Sequence, residues 1–174
     1  MQAPSLKPSF EDLALPLLDR LFNFACWLTQ NHDEAEDLVQ ESLSKALKGF
    51  SSFQPGTNFR AWIYRILRNT FLTSRAGLKS AVTEPLEEGG EAERLATTST
   101  PESILLHRLD QQSLWEALEQ LAVPFREILL LREVEEMSYQ EISSTLGLPM
   151  GTVMSRLARA RKALRERLEM RERS

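Results

Sequence analysis

Cysteine and histidine are scarce in this chain of 174 residues, and long apolar runs are missing. The single cysteine, Cys26, cannot form a disulfide within the chain, and its apolar neighbours favour a buried thiol over a redox sensor. The two histidines, His32 and His107, do not stand in a Cys/His spacing typical of zinc sites. The sequence therefore predicts neither a bound metal nor another cofactor.

No apolar segment approaches the roughly 18 residues that cross a bilayer, so membrane insertion is not expected. The first residues also lack the charged and apolar regions of a secretory signal. The expected location is the cytoplasm. The pair Gly89 and Gly90 lies in an acidic stretch without a phosphate-loop pattern. Together with the shortage of histidine, this favours a protein that is not an enzyme and has no catalytic residues.

Helical signals are present throughout, and no convincing alternating strand is found. The predicted fold class is all-α, with two small helical domains joined by a flexible linker. The first block covers residues 9–75 and the second block residues 101–170. Residues 76–100 between them hold five Glu, two positive charges and no aromatic residue, which is typical of a linker.

Helix starts are marked by capping residues in the first block. Ser9 and Asn31 each precede acidic residues, and Pro16 predicts a kink or a new start between them. The helix after Asn31 should run to about Lys48, and a third helix should run from Phe59 to about Arg75.

The second block ends in a predicted helix-turn-helix. Ser138 to Glu141, "SYQE", is a capping box, Gly147 suits a left-handed turn, and Pro149 opens the last helix. One face of that helix should be buried: Val153, Leu157, Ala160, Leu164 and Leu168.

The opposite face of the last helix is polar and basic, although the chain as a whole is acidic (21 Lys+Arg against 25 Asp+Glu). It carries Thr152, Ser155, Arg159 and Lys162, flanked by Arg156 and Arg161. Such a face can enter the major groove of DNA, with short and basic side chains at base edges and flanking cations at phosphates. The alternative is an ordinary solvated basic face.

A second nucleic-acid surface is predicted in the first block, on the helix that begins at Phe59. Cations alternate with rings along one stripe, here named the cationic stripe: Arg60, Tyr64, Arg68, Phe71 and Arg75. Rings can stack on unpaired bases while cations follow the backbone. The preceding loop, Ser51–Asn58, could hold one extruded base. The alternative is an amphipathic helix whose long side chains only cover the core.

An acidic stripe is predicted on the helix that follows Asn31, opposite its apolar face: Asp33, Asp37, Gln40, Glu41 and Ser44. From the residues alone, solvated surface is the favoured interpretation.

Three stretches in this order, "DEAEDLVQESLSKAL", "FRAWIYRILRN" and "SYQEISSTLGLPMGTVMSRLARAR", together with the linker, resemble the extracytoplasmic-function (ECF) class of bacterial RNA polymerase sigma factors. The resemblance implies an alternative sigma factor, active in a stress response, that brings core polymerase to promoters. It implies as partners promoter DNA, the clamp helices of the largest polymerase subunit and an anti-sigma factor. The free protein is expected to be a monomer, compact or mobile.

The resemblance also assigns residues to these roles. For the minus-thirty-five element they are Tyr139, Thr152, Met154, Ser155, Arg156, Ala158, Arg159, Arg161 and Lys162. For the unwound minus-ten strand they are Ser51, Ser52, Phe53, Asn58, Arg60, Trp62, Tyr64, Arg68 and Asn69. For polymerase docking they are Asp37, Gln40 and Glu41.

Two departures and two rival functions accompany this interpretation. Met154 stands where some members carry Arg, and Pro149 where a capping Ser is frequent, so a promoter sequence does not transfer from another member. One rival is a sigma-like adaptor that sequesters an anti-sigma protein, and the other is a stand-alone helix-turn-helix regulator.

Overall fold

The computed structural model describes residues 7–78 and 111–173, and these residues form helices joined by turns. The predicted all-α fold class, with a helix-turn-helix at the end of the second block, is confirmed. Most of the predicted linker (76–100) and the first ten residues of the predicted second block (101–110) lie outside the described residues.

The first block is built from four α-helices and two short 3-10 turns. They are α1 Phe10–Ala14, a 3-10 turn Leu15–Leu17, α2 Leu18–Thr29, α3 His32–Gly49, a 3-10 turn Phe50–Ser52 and α4 Phe59–Leu78. Ser9 forms a capping box with Asp12, and the Asn31 side chain accepts a hydrogen bond from the Glu34 amide at 3.0 Å. The helix breaks at Pro16, as predicted.

The core of the first block lies between α2, α3 and α4. The apolar face predicted for α3 is buried at Ala35, Leu38, Val39 and Ala46, together with the Ser42 hydroxyl, while Leu43 is only half-buried. The Ser42 hydroxyl donates to the Leu38 carbonyl at 2.6 Å, which satisfies a polar group inside the core. This packing holds α4, the helix of the cationic stripe, in a fixed orientation.

The second block contains α5 Gln111–Glu119, α6 Val123–Leu129 with a π-helical turn Leu130–Val134, α7 Tyr139–Leu146 and α8 Met150–Glu172. The predicted capping box is present: the Glu141 amide donates to Ser138 Oγ at 3.1 Å, and the Ser138 amide donates to Glu141 Oε2 at 2.7 Å. Gly147 has φ +66°, a left-handed conformation that a side chain would strain, and this turns the chain from α7 into α8.

The two blocks are packed against each other through α4 and α7 and through α2 and α6. Arg126 on α6 is buried, and its guanidinium donates to four carbonyl oxygens. Three belong to the second block, at Leu118, Glu119 and Leu121, and the fourth is the Trp27 carbonyl of α2 at 3.1 Å. Within the described residues, no helix is long and apolar enough to cross a membrane.

Candidate nucleic-acid interface

The helix-turn-helix presents α8 as its second helix, and the predicted division of its faces is observed. All five residues predicted to be buried, Val153, Leu157, Ala160, Leu164 and Leu168, are buried against the rest of the second block. The other face is open near its start: Met154 is 51% exposed, and Ala158, Arg159 and Lys162 are exposed as well. A solvent-facing strip of small, apolar and basic side chains therefore runs along the first half of α8.

The remaining residues assigned to this surface lie at its margins. Thr152, Ser155 and Arg156 are half-buried, and the Ser155 hydroxyl donates to the Thr152 carbonyl at 3.2 Å. Tyr139 is half-buried on α7, with the Arg132 guanidinium 4.9 Å from its ring centroid.

Arg161 is held by an acidic neighbour of its own block. Its guanidinium donates to Glu133 Oε1 at 2.7 and 3.2 Å. Both side chains of this pair are partly exposed.

The loop before α4 rests on a cluster of aromatic rings. Phe53 and Trp62, both half-buried, lie 5.1 Å apart between ring centroids, and Phe59 lies within 5.6 Å of each. Ser51 and Ser52 are exposed, and the Ser52 hydroxyl donates to the Gly49 carbonyl. The ring cluster therefore supports the loop, and the Ser51 and Ser52 side chains face solvent. A pocket for one base in this loop stays a prediction.

The cationic stripe is not a continuous exposed surface, and this corrects the expectation from the sequence. Tyr64 is 0% exposed and Phe71 is also buried. The Tyr64 ring packs on Phe24 of α2, with centroids 5.3 Å apart, and Arg75 covers the Phe71 ring at 5.0 Å. The helical wheel placed both rings outside because the apolar side of α4 is wider than predicted.

Two of the three arginines of the stripe, Arg60 and Arg68, are paired with glutamates of the second block, whereas Arg75 donates to the Thr29 carbonyl of the first block. Glu127 is 0% exposed and accepts two hydrogen bonds from Arg68, at 2.8 and 3.1 Å. Glu141 accepts from the Asn58 side chain at 2.6 Å and lies 3.5 Å from Arg60. Three residues predicted to contact the minus-ten strand therefore bind carboxylates of the same chain, while Asn69 is exposed.

Ionisation of these glutamates is shaped by their positions. Burial raises the pKa of Glu127 above its usual range, although the Arg68 charge works in the opposite direction. Burial also acts to raise the pKa of Glu141, but hydrogen bonds from Ser138 and Asn58 and the Arg60 charge outweigh it, so the pKa is lowered. The surroundings of Glu141 therefore favour its ionised form, whereas the surroundings of Glu127 disfavour it.

A third acidic contact involves Glu135 and Tyr64. Arg20 Nε lies 3.0 Å from Glu135 Oε2, and the Tyr64 hydroxyl is buried beside this carboxylate. Burial, and secondly Glu135, raise the pKa of Tyr64. The Tyr64 hydroxyl and Glu135 Oε2 are both buried without a hydrogen-bond partner among the described residues. This corner of the contact between the blocks is therefore incompletely satisfied.

The acidic stripe on α3 is exposed along its length. Asp37 and Gln40 face solvent, and Glu41 forms an i,i+4 ion pair with Lys45 at 2.7 Å. Nothing else in the described part of the chain covers this face, which suits either solvated surface or a docking surface.

Comparison with protein families gives two matches in the same order along the chain. Residues 13–80 match Sigma-70 region 2, and residues 111–164 match Sigma-70, region 4. The chain is 35% identical over 159 residues to the ECF RNA polymerase sigma factor EcfG of Rhodopseudomonas palustris, covering 91% of this chain and 84% of that protein. The chain belongs to the ECF class of RNA polymerase sigma factors.

Other relatives agree with this membership. The RNA polymerase sigma factor YlaC of Bacillus subtilis is 31% identical over 163 residues and is covered over 93% of its length. The ECF RNA polymerase sigma factor SigE of Mycolicibacterium smegmatis is 36% identical over 162 residues, and the match spans 92% of this chain but only 62% of that protein. As a member of the family, this chain is an alternative sigma factor, and the family consists of transcription initiation factors.

A solved structure shows the same fold. The sigma factor RpoE of Bartonella quintana, in complex with the anti-sigma factor NepR, has a TM-score of 0.67 and 31% identity, covering 91% of this sigma factor and 98% of that chain. CnrH in complex with the cytosolic domain of CnrY has a TM-score of 0.63 at 22% identity, which supports the fold alone.

The glutamates at the contact between the blocks were not identified from the sequence. Glu127 and Glu135 stand in a mixed apolar and charged stretch, and Glu141 was explained by its capping role alone. The only available signal was local: Glu127 falls among buried apolar residues of α6, where an unpaired carboxylate would be costly.

Proposed function

We propose that this sigma factor directs core RNA polymerase, in the cytoplasm, to promoters whose minus-thirty-five element is read by α8 and whose minus-ten element is opened and held by the first block. The observation that carries the proposal is the exposed strip on α8, set on a buried apolar face in a capped helix-turn-helix. A recognition helix needs that combination of rigid support and free side chains.

The side chains of the strip suit reading of duplex DNA. Ala158 and Ser155 are short and allow the helix backbone to approach the groove, while Arg159 can donate two hydrogen bonds to a guanine. Met154 offers an apolar contact to a thymine methyl group rather than the charge that some family members carry there. Lys162, Arg156 and Arg161 are placed to reach phosphates.

The first block would act on separated strands. Ser51 and Ser52 in the loop are exposed, and the Phe53 and Trp62 rings beside them are half-buried. Arg60, Arg68 and the exposed Asn69 lie further along α4. Stacking on rings and charge pairing with phosphates are the interactions that hold single strands. Because Tyr64 packs on Phe24, we assign it to support of this surface rather than to stacking on a base.

Docking on polymerase is proposed for the exposed acidic stripe, at Asp37, Gln40 and Glu41. The stripe lies on α3, whose opposite face is packed in the core, so it can meet the polymerase clamp helices without rearrangement of the block. The likeness to a sigma factor solved with its anti-sigma factor also supports control by an anti-sigma partner.

Run-off transcription with purified core polymerase tests the proposal. Core polymerase plus this chain should start at defined positions on genomic fragments, and transcript sequencing would map them. The variant Asp37→Ala with Glu41→Ala should lose transcription with the fold intact, as judged by circular dichroism. Absence of any defined start with the unaltered protein would support the sigma-like adaptor instead.

A further inference from the structure

We propose that the chain inhibits itself: glutamates of the second block occupy the first-block residues that would hold the minus-ten strand, so the blocks must separate before that strand can bind. The proposal rests on the proposed function of the first block. It concerns the contact between α4 and the second block, which the family assignment does not address.

The strongest contact is the pair of Arg68 and Glu127. Both carboxylate oxygens of Glu127 accept from one guanidinium, a two-pronged geometry that arginine also uses for phosphate. Glu127 is completely buried, and the Arg68 side chain is 16% exposed. While this pair exists, Arg68 cannot reach a DNA phosphate, and breaking it without separating the blocks would leave a buried charge unpaired.

The second contact covers the beginning of α4. Glu141 accepts from Asn58 and lies beside Arg60, so two donors at the mouth of the Ser51–Asn58 loop face a carboxylate. The same carboxylate is fixed by the Ser138 amide at 2.7 Å. It is therefore held in place by its own block and does not need to be ordered when the blocks meet.

The third contact is the least satisfied. Glu135 Oε2 is ion-paired with Arg20 Nε of the first block at 3.0 Å, but the Tyr64 hydroxyl buried beside it has no hydrogen-bond partner in the described part of the chain. Buried polar groups left in this way cost free energy. This cost opposes the stabilisation from the Arg68–Glu127 pair. Because the two partly cancel, a competing partner can separate the blocks.

A pair of stacked indoles reports on the closed arrangement. Trp27 of α2 and Trp115 of α5 lie 3.5 Å apart with an angle of 4° between their planes. Gln30 and Arg126 complete this side of the contact by donating to the Glu119 and Trp27 carbonyls across the blocks. Two indoles stacked at this distance couple excitonically, and when their in-plane transition dipoles are rotated relative to each other they produce a couplet in circular dichroism that disappears when the rings part.

Two substitutions separate closure from folding. Glu127→Gln removes the charge that pairs with Arg68 at nearly constant shape. Glu141→Gln removes the charge near Arg60 and keeps the capping box, because Gln serves equally at that position. Should Glu127→Gln fail to fold, the exposed site at Glu141 still provides the test.

The matched control is Glu169→Gln. Glu169 also lies in the second block, but it is exposed on the last two turns of α8, outside both the contact between the blocks and the residues assigned to DNA. The control changes the net charge by the same amount, so it corrects for general attraction between a less acidic protein and DNA.

The experiment uses the free full-length protein and a fluorescein-labelled single-stranded oligonucleotide of mixed sequence. If only molecules with separated blocks bind the oligonucleotide, the apparent affinity is proportional to the fraction of such molecules. Each variant should increase this fraction, and we expect its affinity to rise by about tenfold. The indole couplet should weaken in parallel. Glu169→Gln should change neither the couplet nor the affinity beyond the effect of one charge.

Two outcomes would overturn the proposal. The couplet could persist undiminished in both variants, or both variants could bind the oligonucleotide no more tightly than the unaltered protein beyond the effect of one charge. Run-off transcription separates these from failure of the proposed function. If the unaltered protein supports defined starts but the variants gain no affinity, self-inhibition is wrong and the sigma-factor role stands.

Discussion

The two surfaces assigned to DNA differ in what covers them. The strip on α8 that would read duplex DNA faces solvent, whereas Arg60 and Arg68 on α4 are bound to carboxylates of the other block. The free chain therefore offers the surface for intact duplex and withholds the surface for separated strands. Arg60 and Arg68 on α4 take part in the contact between the blocks, whereas Arg159 on α8 is exposed.

The largest effect should come from Arg68→Ala. Removing this arginine leaves Glu127 buried without its partner, which costs about 3–5 kcal/mol in a protein interior. We expect the blocks to part, the indole couplet to vanish and thermal unfolding to lose cooperativity between the two blocks. Unchanged thermal unfolding would show that the Arg68–Glu127 pair contributes little to stability. The surface on α4 would then be no more firmly covered than the strip on α8.

Arg159→Ala should change stability little and weaken promoter discrimination instead. Arg159 is exposed, so stability should stay within about 0.5 kcal/mol of the unaltered protein. Discrimination at one minus-thirty-five position should fall by roughly 1–3 kcal/mol, measured as holoenzyme binding to single-base promoter variants.

Arg173→Ala is the matched control for that substitution, because it removes the same charge about 21 Å further along the helix. Equal losses from both variants would reduce the contribution of Arg159 to general electrostatic attraction.

The two capping boxes offer a finer comparison. Ser138→Ala and Ser9→Ala each remove one cap, and each should cost about 1 kcal/mol in chemical denaturation. Only Ser138→Ala should also weaken promoter binding, since its helix carries the turn that positions α8. A similar loss of binding from Ser9→Ala would mean that the first helix influences the recognition helix.

The smallest effect is a pH dependence at Glu141. Its pKa is depressed below the ordinary value of 4.5, so its ionised form favours the closed arrangement above that pH and the contribution fades as pH falls through the depressed pKa. The difference in couplet strength between the unaltered protein and Glu141→Gln should therefore shrink on acidification. Glu127, whose pKa is shifted upward, is common to both proteins and cancels in the difference. A difference that stays constant with pH would remove Glu141 from the contact.

Local chemistry made the second block predictable. The capping box at Ser138, the left-handed Gly147 and the five-residue apolar face of α8 all depend on residues within a few turns of one another. The same holds for the helix start at Asn31 and the break at Pro16.

In the first block, the contacts made by distant residues could not be predicted from sequence patterns. Tyr64 was placed on the outside because the sequence does not reveal that Phe24 packs on its ring or that Glu135 approaches its hydroxyl. The pairs that cover α4 join residues 59 and 83 positions apart, and their partners come from another block. Helical periodicity indicates which face of a helix is buried in a single core. It therefore cannot predict that a second domain packs on another face of the same helix.

Arg126 has a consequence for how the molecule changes shape. Of its four carbonyl acceptors, only the Trp27 carbonyl would be lost when the blocks move apart. The loop between α5 and α6 would stay tied by the other three. The second block can then swing away as a rigid body, carrying an already assembled recognition helix to its promoter element without any refolding on the way.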